Sequence, residues 1–311
     1  MSSPPSTDRP AGGSAPAPTP GGHLSAYLHA LRPRQWAKNV LVFAAPVAAG
    51  DALHLHTLVR AGLAFVAFCM AASGTYLLND TRDLERDRLH PTKRYRPIAA
   101  GLVAVPAALA MAAVLLVASL VVGFATTRDL GITLLAYLAL TTSYSLWLKH
   151  QPILDILAVA AGFVLRAVAG ATATGLPISE WFFIVTSFGA LLIVVGKRES
   201  ELMALGADAG QVRPTLGVYT REFLRYLRGT ATAVVLVAYC LWAFESATRS
   251  DSGAIWFQLS IVPFTAAVFQ YALIVEQGGG EHPERVLTTD RAILASGAVW
   301  AILYGYAVYR T

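Results

Sequence analysis

The sequence predicts an all-α polytopic membrane protein, and three observations carry that prediction. Of its 311 residues 55% are hydrophobic and only 14% charged, where soluble domains carry about 25% charged residues. The apolar residues fall in continuous runs rather than in alternation, so the spanning form is helical. The basic residues are segregated between alternate loops, as they are in chains threaded through a bilayer.

Taken in order, residues 1–25 are rich in Ser, Pro, Gly and Ala. They lack the apolar stretch of a signal peptide and read as a disordered tail, ahead of one transmembrane domain over 26–311. Nine apolar segments follow, at roughly 36–50, 57–78, 104–125, 130–147, 152–174, 181–196, 229–248, 254–275 and 291–309, against an expected length of about 20 residues. The first is short enough to be tilted, broken or interfacial. Of the 24 Lys and Arg, four (Arg60, Arg128, Arg249, Arg310) lie on one side of this arrangement, Arg166 lies inside the fifth span, and the remaining 19 lie on the other. That bias puts the richer side in the cytoplasm. Cys69 and Cys240 both fall in apolar spans, too few for a disulfide framework or a cysteine metal site.

Topology alone explains the Lys and Arg but not carboxylates at regular spacing. In LLNDTRDLERDRLHPTKRYRPIAAG, residues 77–101, the second span ends in Asn79, Asp80, Asp83, Glu85 and Asp87. On a helix Asp83 falls at about 300° and Asp87 at about 340° from Asp80, while Glu85 lies near 140°. Three carboxylates on one stripe repel unless a cation sits among them, and hard oxygen ligands suit Mg2+, which keeps room for substrate phosphates. The stripe therefore predicts a metal–diphosphate site. The alternative is neutralisation by Arg82, Arg86 and Arg88 at neighbouring positions. Downstream, Lys93, Arg94 and Arg96 suit the remaining phosphate charge, Pro91 and Pro97 stiffen the loop, and His90 reads as a polar loop residue.

Three further segments reach the same side. RPRQWAKN (32–39) offers Arg32, Arg34 and Lys38, and equally reads as a juxtamembrane anchor with Trp36 at the interface. YSLWLKHQPILD (144–155) offers Tyr144, Lys149 and Asp155. VVGKRESELMALG (194–206) offers Lys197, Arg198, Glu199 and Glu201, and equally reads as a helix end with Lys197 paired to Glu201. Arg166 sits deeper, in GFVLRAVAG. An intramembrane Arg is expensive and should face a cavity or a partner, and Asp155 is roughly 16 Å away along a helix, too far to be that partner. Gly162 and Gly170 share the Arg166 face and permit close helix approach, including a homo-oligomer.

The pattern N-D-x-x-D-x-x-x-D after the second of nine spans resembles the first aspartate motif of the UbiA-type membrane prenyltransferase superfamily, and the resemblance runs from about residue 31 to the last span. It implies a bundle of about nine helices around a central cavity open to the cytoplasmic side, with Mg2+ and a diphosphate held at its mouth by Asn79, Asp80, Asp83 and Asp87. The sequence departs from the family after the sixth span, where Lys197, Arg198, Glu199 and Glu201 stand in place of a second aspartate motif. With RPRQWAKN, the full acidic loop, Tyr144, Lys149 and Arg166, that departure resembles the phosphoribosyltransferase branch. The branch implies phosphoribosyl diphosphate as donor, a polyprenyl (decaprenyl) phosphate as acceptor and a precursor of cell-wall arabinan as product, made at the plasma membrane. The roles it implies are metal binding and catalysis for Asp80, Asp83 and Asp87, donor binding for Asn79, Lys93, Arg94, Tyr144 and Lys149, and acceptor-phosphate binding for Lys38, Arg166, Lys197, Arg198 and Glu201. A conventional member moving a prenyl chain to an aromatic acceptor is the nearest rival. A transporter would place its charges near the midplane in repeated halves, and nucleic acid is not expected as a partner. Residues 281–290 lie on the same side and are placed to cover the mouth.

Overall fold

The computed structural model describes residues 20–249 and 253–309. Residues 1–19, most of the expected tail, and Arg310 lie outside the described residues. The described chain is a helical bundle. A short helix α1 (Pro20–Ala30) precedes a 3-10 stretch (Pro33–Phe43) that runs into α2 (Ala44–Ala48). Then come α3 (Leu55–Arg82), α4 (Leu84–Leu89), α5 (Val105–Thr126), α6 (Arg128–Leu146), α7 (Leu154–Thr174), α8 (Glu180–Leu205) and α9 (Ala209–Val212). The chain closes with α10 (Arg221–Arg249), α11 (Ala254–Leu259), α12 (Ile261–Glu276), α13 (Pro283–Thr289) and α14 (Arg291–Tyr309).

Among the described residues seven helical units are long and apolar enough to cross a membrane: α3, α5, α7, α8, α10, the α11–α12 pair and α14. The other two expected spans are the Pro33–Ala48 segment and α6. The first is broken as anticipated: most of it is 3-10 rather than α-helix. Its close packing explains its course. A Cβ on Gly170 would stand 1.8 Å from the Val42 carbonyl oxygen, so only glycine lets α7 meet this backbone. Gly170, one of the two glycines read as permitting helix association, thus makes its close approach within the chain.

Two boundaries moved for one reason. The helix α8 continues to Leu205 and α10 begins at Arg221, several residues beyond the apolar windows. A window ends at its first charges, but a helix continues where those charges find partners. Likewise α1 starts at Pro20, inside the segment read as tail, and buries Ala26 and Ala30 with Leu77, Ile98 and Val103. That packing ties the first helix to the loop carrying the basic residues.

The helices α3 and α7 lie at the centre, with 56% of each spanning window buried against 17–28% for the other spanning units. The motif residue Asp80 is on α3 and the intramembrane Arg166 is on α7, so the two most enclosed helices carry the two most unusual charges.

Candidate active site

The acidic stripe is held by arginines from elsewhere in the chain. Asp80 and Asp87 are almost fully buried, at 5% and 2% exposure. Arg32 donates from Nη2 to both oxygens of Asp80, at 2.5 and 2.7 Å. Arg96 donates from Nη1 to Asp80 Oδ1 at 3.1 Å and to Asp87 Oδ2 at 2.5 Å. One nitrogen thus bridges two carboxylates seven residues apart, one at the end of α3 and one on α4. Asp83 behaves differently. The helix breaks there, between α3 and α4, and its nearest cation is the exposed Arg86 at 3.8 Å. Glu85 pairs with Arg88 at 2.8 Å on the outer face, as its angle predicted. Among the described residues no three of His, Cys, Asp and Glu gather closely enough to hold a metal. Two carboxylates are closed by guanidinium groups, and the break turns the third aside. For Asp80 and Asp87 the neutralising cations are Arg32 and Arg96; of the neighbouring Arg82, Arg86 and Arg88 it is Arg86 that reaches the stripe, at Asp83.

Beside this stripe a cavity of about 230 Å³ opens between α3, α6, α7 and the 3-10 segment, lined among others by Lys38, Tyr76, Asn79, Tyr137, Tyr144 and Arg166. Arg166 is 8% exposed. Its Nε donates to Asn39 Oδ1 at 2.8 Å, its Nη1 to the Gly162 carbonyl at 2.6 Å and its Nη2 to Tyr137 Oη at 2.9 Å. The guanidinium also lies 4.8 Å from the Tyr137 ring centroid and 5.6 Å from that of Phe163. Every one of these partners is neutral. A buried guanidinium has five N–H donors and a full charge to satisfy, so the cavity wall offers an uncompensated cation. Lys38 lines the same cavity wall.

The end of α8 does something else. Arg198, 3% exposed, pairs with Glu201 at 3.0 Å and with the fully buried Asp155 at 3.4 Å. Thr215 and Tyr219 also donate to Asp155, at 3.1 and 2.5 Å. Burial, then the bond to Asp155, pushes the Tyr219 hydroxyl well above the ordinary phenol range, so it stays a donor. Glu199 accepts from Arg228 at 2.7 Å, and Glu276 takes Arg221, Arg225 and Arg228 together. Of the residues expected at an acceptor phosphate, Arg198 thus faces Asp155 of α7 as well as Glu201, while Glu201 pairs only with Arg198 and Lys197 on its own helix among the described residues. Lys197 is more open and only loosely paired with Glu201 at 3.8 Å.

The remaining expected residues divide. Asn79 and Tyr144 line the cavity, and Tyr144 Oη accepts from Arg213 at 3.2 Å. Lys93 and Lys149 are half-buried in short 3-10 turns at the same end. Arg94 is exposed and folded over Tyr95, 4.9 Å from its ring centroid. His90 Nδ1 accepts from the backbone N–H of Thr92 and Lys93, which makes it a loop-shaping residue. Sequence reasoning passed over Asn39 and Tyr137. The four-residue offset between Gly162 and Arg166 was visible, but nothing local pointed to Asn39, 127 residues from its partner.

The profile of the UbiA prenyltransferase family matches residues 40–307. The chain belongs to that family. Among relatives, the chain is 41% identical over 286 residues to the decaprenyl-phosphate phosphoribosyltransferase of Corynebacterium glutamicum, covering 91% of this chain and 86% of that one. It is 40% identical to the protein of the same name in Mycolicibacterium smegmatis, covering 93% and 94%. Among solved structures, a UbiA homolog from Archaeoglobus fulgidus bound to GPP and Mg2+ superposes with a TM-score of 0.66 at 18% identity, over 92% of this chain and all of that one. At that identity the likeness shows the UbiA fold.

Proposed function

We propose that this UbiA-family chain transfers the 5-phosphoribosyl group of phosphoribosyl diphosphate to a polyprenyl phosphate, releasing diphosphate. The observation that carries this reading is Arg166. A buried cation with only neutral partners, beside Lys38 in a cavity lined by tyrosines, suits an acceptor that is itself an anion. The names of the relatives, at about two-fifths identity over most of the chain, point the same way.

The donor's diphosphate lies at the acidic stripe. Asn79, Asp80, Asp83 and Asp87 supply only hard oxygen atoms, a donor set that fits Mg2+. When bound, the ion stabilises charge on the departing diphosphate. Lys93 and Lys149 bind donor phosphates, with Arg94 as an outer member. Lys38, Arg166 and Lys197 hold the lipid phosphate, which is anionic at neutral pH and attacks the anomeric carbon without a strong general base. In-line attack inverts that carbon, passing through an oxocarbenium-like state. The positive-inside bias puts this end of the bundle in the cytoplasm, where the soluble donor is made, with the chain in the plasma membrane.

Arg166→Gln keeps hydrogen bonds and removes the charge. It raises KM for polyprenyl phosphate at least about ten-fold while leaving KM for the donor near that of the unmodified protein. Equal rises in both constants would remove Arg166 from the acceptor site.

A further inference from the structure

Arg32 and Arg96 make the closest contacts to the acidic motif. We propose that they are internal counter-ions that exchange partners when the donor arrives. They release Asp80 and Asp87 to the divalent cation and take the donor's diphosphate oxygens in return. The proposal rests on the reading of the stripe as a metal–diphosphate site.

The geometry supports an exchange rather than a permanent staple. The carboxylates of Asp80 and Asp87 are 6% and 3% exposed, but the arginine side chains that close them remain 25% and 28% exposed. The acids are anchored and the bases are at the edge. Arg32 also lies 4.8 Å from the ring centroid of Tyr76, a cavity-lining residue, so its charge already stands at the cavity wall. Its backbone is left-handed, at φ 56° and ψ 57°, directly before Pro33. That conformation is uncommon for a non-glycine residue and disfavoured before proline. Strained backbone of this kind persists where surrounding contacts hold it and clusters at ligand clamps.

Charge decides the order of events. Two carboxylates and two guanidinium groups sum to zero. A divalent cation arriving alone would take the carboxylates and leave two half-buried guanidinium groups without a counter-charge, which is costly. A cation arriving with a diphosphate brings the counter-charge with it, and charge-assisted bonds from arginine to phosphate are strong. Metal and diphosphate therefore load together.

The test is protein-bound Mn2+, measured by equilibrium dialysis of the full-length purified protein in detergent at fixed free Mn2+, with and without inorganic diphosphate. The unmodified protein binds Mn2+ alone weakly, and diphosphate tightens binding at least about ten-fold. Arg96→Gln and Arg32→Gln each bind Mn2+ alone at least about five-fold tighter and lose most of the tightening by diphosphate. The two variants sit on separate segments, so a folding defect in one leaves the other to decide. Unchanged Mn2+ affinity and unchanged tightening in a folded arginine variant, with Asp80→Asn abolishing Mn2+ binding, overturns the exchange and leaves the metal reading standing. Undiminished Mn2+ binding in Asp80→Asn overturns the metal reading and the exchange with it.

Discussion

Asp83 and Arg198 show how two charged residues at one end of a bundle differ in kind. Asp83 is half-exposed at a helix break, and its nearest cation is 3.8 Å away. Little stability depends on it, so Asp83→Asn abolishes turnover with an unchanged melting temperature, read in one detergent by activity and by thermal unfolding. Full activity in that variant would remove Asp83 from the metal set. Arg198 is enclosed and faces the fully buried Asp155. Arg198→Ala removes the cation paired with that carboxylate and leaves it the Thr215 and Tyr219 hydroxyls, and breaking a buried pair costs about 3–5 kcal/mol. It therefore lowers the unfolding midpoint markedly, whatever it does to activity. An unaltered midpoint would return Arg198 to the candidate ligands.

At the scale of elements, the contact between α7 and the 3-10 segment Pro33–Phe43 sets the cavity. Gly170 meets the Val42 carbonyl, and Asn39, three residues earlier, holds Arg166. Gly170→Ala forces this backbone away and disturbs Asn39 and Lys38 together. It lowers activity far more than Gly229→Ala, whose added Cβ meets nothing within 4 Å. Comparable activities for the two variants would show that the close approach does not shape the site. The pairing of Asp80 and Asp87 was legible in the sequence because they lie seven residues apart; the break at Asp83 between α3 and α4 was not. The bridges from Arg32 and Arg96 were not, since a span of 48 residues to Asp80 depends on how α3 meets the first segment. The partners of the GKRESEL segment were hidden for the same reason, since Asp155 beside Arg198 comes from α7 and Arg228 beside Glu199 comes from α10.

At the scale of the whole molecule, the apolar runs and the charge bias gave the helical membrane class and nearly all the spans. They missed the extended ends of α8 and α10, which continue because Glu199 and Glu276 meet Arg228. The bias also predicts sidedness. In a background without Cys69 and Cys240, Thr92→Cys in intact cells is shielded from a membrane-impermeant maleimide, while Asp129→Cys at the opposite end is labelled. The reverse pattern would put the site outside. The central claim is the reaction itself, and one measurement reaches it most directly. Purified protein is incubated with radiolabelled phosphoribosyl diphosphate, a polyprenyl phosphate and Mg2+, and label entering the organic phase is counted. The account predicts label there only when both the lipid phosphate and Mg2+ are present. No label, from a preparation that instead joins a prenyl diphosphate to an aromatic acid, would contradict it.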